Sequence, residues 1–147
     1  MIKDSGNRRE FDTGAVRDMQ TGKGRCDLLP LSVVSKLYPN DFIPGLLAKF
    51  QIDQDTAHLY EALRCFAVSA FGGKETMLLE TAQHFEEGAE KYGENNWQKG
   101  LPANCYVDSA LRHWFKYKRG DNDENHHRAF VWNILCCIWE VDHHAYD

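Results

Sequence analysis

Apolar residues recur along this chain at the three- and four-residue steps of amphipathic helices. In segment 74–92, one such stripe is formed by Leu78, Ala82, Phe85, Ala89 and Tyr92. This spacing predicts a helix that buries one face. No segment shows the sustained alternation of a strand, so the pattern predicts an all-α bundle of about four main helices.

Glycine and proline residues set the boundaries of the predicted helices. The predicted long helices span 55–71, 74–92, 104–118 and 123–143. A shorter helix is predicted at 42–50. Residues 1–29 hold four glycines and lack periodicity, which predicts either a flexible arm or an irregular strap over a bundle that spans 30–147.

Length and charge restrict the class of protein. A chain of 147 residues suits a single domain, here 1–147. Its formal net charge of −5 argues against a nucleic-acid binder, which would carry a basic face. No stretch approaches a membrane span and the N-terminus has no apolar signal core, so we expect a cytoplasmic protein.

The five cysteines show neither a CxxC pair nor zinc-ligand spacing. In a reducing compartment they are expected to be buried thiols and not disulfides.

Three carboxylates, those of Glu86, Glu87 and Glu90, fall within little more than one turn of the second long helix. Their mutual repulsion costs a few tenths of a kcal/mol per pair. A hard cation such as Mg²⁺, which takes oxygen ligands, would compensate for it. Taken alone, a glutamate-rich helix face is more often exposed to solvent than part of a metal site.

Polar residues at the edges of the next two apolar stripes favour a metal site. Asp108 lies at the stripe edge of the third helix, where an ion pair with Arg112 is the simpler interpretation. Toward its N-terminus, the stripe of the fourth helix reaches Asp123 and His127, with His126 beside it. Facing helices of bundles commonly build metal sites in this way, and an oxygen-rich set suits Mg²⁺ or Mn²⁺.

Cationic residues occur where they would serve phosphate groups. They are Lys91, Arg112 and Lys116 on the helices and Arg17, Lys23 and Arg25 in the strap. Trp97, in the loop after the second long helix, would either stack on a base or anchor the loop in the core.

Four strings resemble the MazG-type all-α nucleoside triphosphate pyrophosphohydrolases, and more specifically their phage branch of MazZ-like dATP/dGTP diphosphohydrolases. The strings are DSGNRREFDTGAVRD at 4–18, GKGRCDLLP at 22–30, EEGAEKYGENNWQKG at 86–100, and YVDSALRH with DENHHRAFVWN at 106–113 and 123–133. They leave residues 38–75 without a counterpart.

The resemblance implies a MazG-like helical fold and a Mg²⁺- or Mn²⁺-dependent cleavage between the α and β phosphates of dATP or dGTP. The products are the deoxynucleoside monophosphate and pyrophosphate. In such phages the activity accompanies the replacement of adenine by 2-aminoadenine in DNA, because it removes dATP and supplies dGMP. It also implies a homodimer or homotetramer with sites near the subunit contacts.

The residues carry over unevenly. Glu87 and Glu90 match one half of the family's metal motif, with Glu86 as an additional acid. Asp108 fits the aspartate of the other half, but Cys105 stands where a glutamate is expected. Alternatively, Asp123 and Glu124 supply these acids, and Asn125 replaces another.

A metal-assisted hydrolysis follows as the hypothesis. Glu87, Glu90 and Asp108, with Asp123 or Glu124, hold the metal ions, and Glu86 or Glu87 orients the attacking water. The leaving pyrophosphate is held by Lys91, Arg112, Lys23 and Arg25. The base contacts Trp97 or Asn96.

Two other functions stay open. One is a di-iron or zinc protein that uses Glu87, Glu90, His113 and His126. The other is a non-enzymatic helical interaction module, in which the acids are a solvated face.

Overall fold

A short β-hairpin precedes six helices in the computed structural model, which describes residues 8–18 and 22–146. The hairpin strands are β1 (Arg8–Glu10) and β2 (Val16–Asp18). The helices are α1 (Leu31–Val34), α2 (Ile43–Asp53), α3 (Ala57–Phe66), α4 (Lys74–Tyr92), α5 (Ala103–Arg119) and α6 (His126–His143). The all-α class is thereby confirmed.

Helix boundaries follow local chemistry. Pro44 occupies the first turn of α2, where its missing N–H costs nothing. Gly120, with a φ of 89°, ends α5 in the left-handed conformation that glycine adopts freely. After α3 the chain continues as a π-helical turn, Ala67–Phe71. The prediction that the last helix begins at 123 is wrong, because Asp123, Glu124 and Asn125 precede its first residue, His126.

The N-terminal segment has regular structure that its sequence does not reveal. β1 and β2 pair antiparallel, with Arg9 opposite Arg17. The expected N-terminal strap is confirmed, and it contains this short hairpin, which the sequence did not predict because three-residue strands are too short to give a signal of alternation. The strap positions 1–7 and 19–21 lie outside the described residues.

The core lies between the helices. α5 and α6 form an antiparallel pair, since Cys137 Sγ approaches the carbonyl oxygen of Ala103 at one end (3.7 Å) and His113 contacts His126 at the other. α4 packs along α6, and α2 packs against α3. The predicted α6 stripe is confirmed: Phe130, Ile134 and Cys137 are fully buried.

α4 is rotated from the orientation that its apolar stripe predicts. Leu78 is 49% exposed, whereas Met77, Thr81 and His84 are buried. The next positions on this buried line, Gly88 and Tyr92, face a cavity together with His84. This rotation places a histidine, a glycine and a tyrosine at the cavity and turns Glu86 and Glu90 to solvent.

Candidate functional site

A cavity of about 560 Å³ lies between the β-hairpin and helices α4, α5 and α6. Its volume is within the range of small-molecule sites. The wall combines cationic, acidic and aromatic side chains. It is lined by Arg9, Val16, Arg17, Asp18, Lys23, His84, Gly88, Tyr92, Asn96, Cys105, Asp108, Ser109, Arg112, His113, Lys116, Asp123, Glu124, Trp132 and Asn133.

The charge of the wall differs from that of the whole chain. Its five arginine and lysine side chains face four carboxylates, whereas the chain as a whole carries −5. The cavity is therefore locally cationic in an acidic protein. Such a mixture suits a ligand that combines phosphate groups with a bound divalent cation.

The hairpin is tied to the bundle by Asn96. The side-chain oxygen of Asn96 accepts a hydrogen bond from Val16 N (2.6 Å), and its amide nitrogen donates to Val16 O (2.7 Å). Thr13 Oγ1 adds a bond to the carbonyl oxygen of Gly100 (2.6 Å). Asn96, predicted to bind the base, thus lines the cavity while its amide holds β2 in place.

β2 brings Arg17 into the cavity wall. Its guanidinium lies over the rings of Tyr106 and Trp132, and its Nη2 donates to Asn133 Oδ1 at 3.3 Å. Arg17 Nη1 is buried and has no hydrogen-bond partner among the described residues. A buried donor without a partner is costly, so this N–H is suited to an anionic ligand.

Arg112 and Lys23, both predicted to bind substrate, line the cavity. Arg112 Nη2 donates to Asp108 Oδ2 and to the Gly24 carbonyl oxygen, each at 2.6 Å, which confirms the predicted i,i+4 ion pair with Asp108. Arg112 Nε is buried and lacks a partner within the described part of the chain. Lys23 pairs with Asp18 at 2.7 Å.

Arg25, also predicted to bind substrate, lies outside the cavity lining and instead holds Asp27. Its Nε and Nη2 donate to the two Asp27 carboxylate oxygens at 2.8 and 2.7 Å. This pairing, with a further hydrogen bond from Asn104, lowers the pKa of Asp27. The network fixes the segment before α1 against α5.

The acids of α4 occupy three different environments. Glu86 and Glu90 are exposed and lie outside the cavity lining. Glu87 Oε2 accepts a hydrogen bond at 2.6 Å from Nη2 of the buried Arg128, so this carboxylate balances a charge inside the bundle. Lys91 is half-buried near the end of α4, away from the lining.

His84 is held as a neutral donor at the cavity. Arg128 Nε donates to His84 Nδ1 at 3.2 Å, so the proton of the neutral ring lies on Nε2. Burial, together with the nearby Arg128 cation, lowers the pKa of His84 to about 3. At neutral pH this imidazole can donate a hydrogen bond into the cavity, but it cannot carry charge.

Trp97 packs in an aromatic cluster. Its ring makes edge contacts with Phe85 and Trp139 at centroid distances of 5.6 and 5.1 Å. It is absent from the cavity lining. Of the two predicted roles, the structure places Trp97 where it anchors the loop, and the aromatic rings at the cavity are those of Tyr92 and Trp132.

Histidines and acids meet where α5 ends and α6 begins. His126 Nδ1 lies 2.9 Å from His113 Nδ1, and His126 Nε2 lies 2.7 Å from Asp123 Oδ1. Potential ligand atoms of His113, Glu124 and His126 lie within 4.8 Å of one another. A second such set contains Asp121, Asp123 and His126.

These sets divide the predicted metal ligands. Within residues 8–18 and 22–146, Asp123 and Glu124 belong to groups of three potential ligands, whereas Glu87, Glu90 and Asp108 belong to none. Within the described residues of a single chain, the acids of α4 therefore do not lie close enough to Asp123 and Glu124 to share one metal ion with them. The roles of Glu86, Glu87 and Lys91 in catalysis stay predictions.

The sequence left several cavity residues without a role, among them His84, Tyr92, Trp132, Ser109 and Asn133. A signal existed for Asn133, which interrupts an apolar stripe: its amide donates to the Ala129 carbonyl oxygen at 2.9 Å and its oxygen receives Arg17. For His84 the sequence signal was weaker: it is a polar residue at a buried position of a helix. The five cysteines are free thiols, as predicted.

The fold and cavity define an all-α protein with a phosphate-suited, acid-bearing site beneath a β-hairpin. The model of the family "dATP/dGTP diphosphohydrolase, N-terminal" matches residues 53–146. Because this match covers more than half of the chain, the protein belongs to that family, whose name describes hydrolases of dATP and dGTP. Comparison with curated proteins and with solved structures gives no significant match.

No helix within the described ranges is both long enough and apolar enough to cross a membrane.

Proposed function

We propose that this protein hydrolyses dATP, dGTP or both to the deoxynucleoside monophosphate and pyrophosphate, in a reaction that depends on Mg²⁺ or Mn²⁺. The family assignment supports the substrate class. The observation that carries the proposal is the locally cationic cavity, in which two buried arginine N–H groups lack partners among the described residues. Triphosphate oxygens would satisfy both.

The phosphate end of the substrate is assigned to the side of the cavity formed by the strap and α5. Arg17, Arg112, Lys23 and Lys116 line this region. Fixed cations positioned before the reaction stabilise the charge that develops on the leaving pyrophosphate. His84 adds an uncharged donor, whose Nε2 proton is available to a phosphate oxygen.

The purine is assigned to the aromatic side of the cavity, where Tyr92 and Trp132 are exposed to its interior. Stacking on such rings accepts adenine and guanine alike, because both bases present a π-face. The side-chain amide of Asn133 lies in the same wall. Tyr92 and Trp132 here take the base-stacking role that we expected of Trp97.

The donor set fits a divalent cation. Asp123 and Glu124 precede α6 and line the cavity, and no hydrogen bond or ion pair within the described residues engages the Glu124 carboxylate. The Glu124 carboxylate would hold the ion, with Asp108 and Asp123 nearby in the wall. When bound, Mg²⁺ or Mn²⁺ supplies neutralisation of the triphosphate and a more acidic water.

The biological setting is part of the proposal. Removal of dATP and production of dGMP would serve a phage that replaces adenine by 2-aminoadenine. We also propose a homodimer or homotetramer, in which the exposed Glu86 and Glu90 of one chain lie near a subunit contact.

The test is product analysis with each of the four dNTPs and either Mg²⁺ or Mn²⁺. We expect pyrophosphate and monophosphate from dATP, dGTP or both, and little from the pyrimidine substrates. Release of orthophosphate would show cleavage at a different bond. If no dNTP is turned over with either metal, the proposed activity is wrong.

A matched pair of variants on α5 links turnover to the cavity. Lys116 lines the cavity, whereas Lys118 points away and pairs with Asp41 at 3.3 Å. We expect Lys116→Gln to lower kcat/KM about tenfold or more, the loss of one charge-assisted contact. Lys118→Gln should retain kcat/KM, and equal losses in both would remove the cavity from the mechanism.

A further inference from the structure

His113, His126 and Glu124 form a compact cluster, and two of its members, His113 and Glu124, line the cavity. His113 comes from α5, His126 is the first residue of α6, and Glu124 lies in the loop between them. The His126 side chain is 1% exposed. Since the three residues come from two helices and their loop, the fold must be formed before they meet.

The hydrogen bonds of His126 determine which of its two ring nitrogens carries the proton. A carboxylate only accepts hydrogen bonds, so the contact at 2.7 Å places the His126 proton on Nε2, facing Asp123. The Nδ1 of His126 then carries a lone pair, which accepts the hydrogen bond from His113 Nδ1 at 2.9 Å. An ion that binds both nitrogens would take the place of the His113 proton, which moves to the other ring nitrogen or to solvent. A histidine whose second nitrogen is held by a carboxylate is the usual arrangement of a metal-bound imidazole.

The separation of the two nitrogens suits one metal ion. Ligand nitrogens at ~2.1 Å from an ion and at a right angle to each other are about 3.0 Å apart. The Glu124 carboxylate lies within 4.8 Å of both histidines, so a small side-chain rotation brings its oxygen to the same ion.

We propose that His113, His126 and Glu124 bind a divalent transition metal through two imidazole nitrogens and one carboxylate oxygen, with Asp123 orienting His126. Imidazole favours Fe²⁺, Co²⁺ or Zn²⁺ over Mg²⁺, which takes oxygen ligands. This site extends the proposed function by giving the cavity a nitrogen-coordinated metal, but it does not depend on the identity of the substrate.

The other groups of potential ligands are accounted for by local structure. Asp53, Asp55 and His58 are on the surface at the start of α3, where Asp55 Oδ1 accepts from Ala57 N at 2.9 Å and Asp53 Oδ2 contacts His58 at 2.9 Å. The set of Asp121, Asp123 and His126 uses the Nε2 side of His126. In that set, the Asp121 carboxylate already accepts a hydrogen bond from Arg119 Nε at 2.7 Å.

Co²⁺ is the probe for this site, because its visible absorption reports nitrogen ligands directly. We expect one Co²⁺ per chain, with an absorption spectrum of mixed nitrogen and oxygen coordination, and displacement by Zn²⁺ but not by equimolar Mg²⁺. His113→Asn and Glu124→Gln should each weaken Co²⁺ binding at least about tenfold, and Asp123→Asn by about tenfold through the loss of orientation.

His127→Asn is the matched control. His127 is adjacent in sequence but pairs with Glu80 at 3.7 Å, outside the cluster, so its loss should leave the affinity for Co²⁺ unchanged. Thermal melts of every variant separate loss of binding from loss of fold. Should the unaltered protein bind no Co²⁺, or should folded His113→Asn bind it as tightly, the inference is overturned.

The assay with dATP or dGTP and Mg²⁺ keeps the two proposals separate. Mg²⁺-dependent turnover without Co²⁺ binding would refute the nitrogen-coordinated site and leave the proposed function standing. Co²⁺ binding that depends on His113, in a protein that turns over no dNTP with any metal, would do the reverse.

Discussion

Glu86 and Glu87 are neighbours in the chain with opposite environments. Glu86 is exposed, whereas Glu87 is the carboxylate partner of the buried Arg128 at 2.6 Å. Arg128 also donates to His84, so its cation organises the face of α4 toward α6. The carboxylate of Glu87 thus has a structural role, as the counter-ion of Arg128, that does not depend on a metal ion.

A pair of substitutions tests this role. Glu87→Gln leaves Arg128 without its counter-ion, and we expect the free energy of unfolding to fall by about 1–3 kcal/mol. Glu86→Gln should change it by less than about 0.5 kcal/mol. Denaturant unfolding measures both, and a stable Glu87→Gln variant without dNTP turnover would instead support the predicted catalytic role.

His84 makes stability depend on pH. The pKa of its folded form is lowered from 6.5 to about 3. Between these values the unfolded chain binds a proton that the folded chain does not, so stability falls as the pH decreases through this range, by up to about 1.4 kcal/mol per pH unit. His113 and His127 have lowered pKa values and act with the same sign.

We therefore expect His84→Gln to flatten the dependence of the unfolding free energy on pH between about 6 and 4. Glutamine retains an acceptor for Arg128 Nε but has no proton to gain. Urea unfolding at a series of pH values measures the slope. An unchanged slope would mean that His84 titrates alike in both states.

At the scale of elements, the hairpin depends on a single side chain from the loop between α4 and α5. The Asn96 side-chain amide forms hydrogen bonds with both the N–H and the C=O of Val16, as the backbone of an adjacent strand would. Arg17, the next residue, extends from β2 into the cavity wall. Position 96 is thus coupled to a cationic group of the site without requiring its own contact with a ligand.

Asn96→Ala should loosen the hairpin. We expect faster amide hydrogen exchange at Val16 and a higher KM for the dNTP, with smaller effects on kcat. Two hydrogen bonds are lost, each contributing about 1 kcal/mol. Asn95→Ala, at an exposed position, is the control and should leave exchange and KM unchanged; equal KM values in all three proteins would contradict the coupling.

On the scale of the whole molecule, a line of exposed residues along α4 is a candidate surface for contact with another subunit. Leu78, Ala82, Glu86 and Glu90 follow one another at four-residue steps, and all are exposed. Leu79, which follows Leu78 in the chain, is 73% exposed, and Val68 in the π-helical turn before α4 is 75% exposed. Contiguous exposed apolar side chains are typical of interaction surfaces.

A homodimer or homotetramer through this face is therefore the expected state. Light scattering after size exclusion should give a multiple of the chain mass, and Leu79→Glu should lower it. Ile52→Glu, at a position on α2 that is 82% exposed, is the control. A mass of 17.0 kDa for the unaltered protein would refute the oligomer.

The helices were predictable because their signals are local. Apolar spacing together with Gly93 and Gly120 places α4 and α5 within a residue or two of their observed bounds. The hairpin was not predictable, because its three-residue strands are too short to show alternation. Its attachment was not predictable either, because Val16 pairs with Asn96, which is 80 residues away. The face of α4 was misjudged because Leu78 and Leu79 are exposed in this chain, which apolarity alone does not reveal.

By itself, the sequence determined the all-α class, the long helices, the free thiols and the resemblance that the family match on 53–146 supports. Only the tertiary structure decided which polar residues share the cavity, since Arg17, His84, Arg112 and Glu124 come from four separate segments. It also paired Glu87 with Arg128 and His113 with His126. The physical reason is that secondary structure follows from neighbours along the chain, whereas a site follows from the packing of helices.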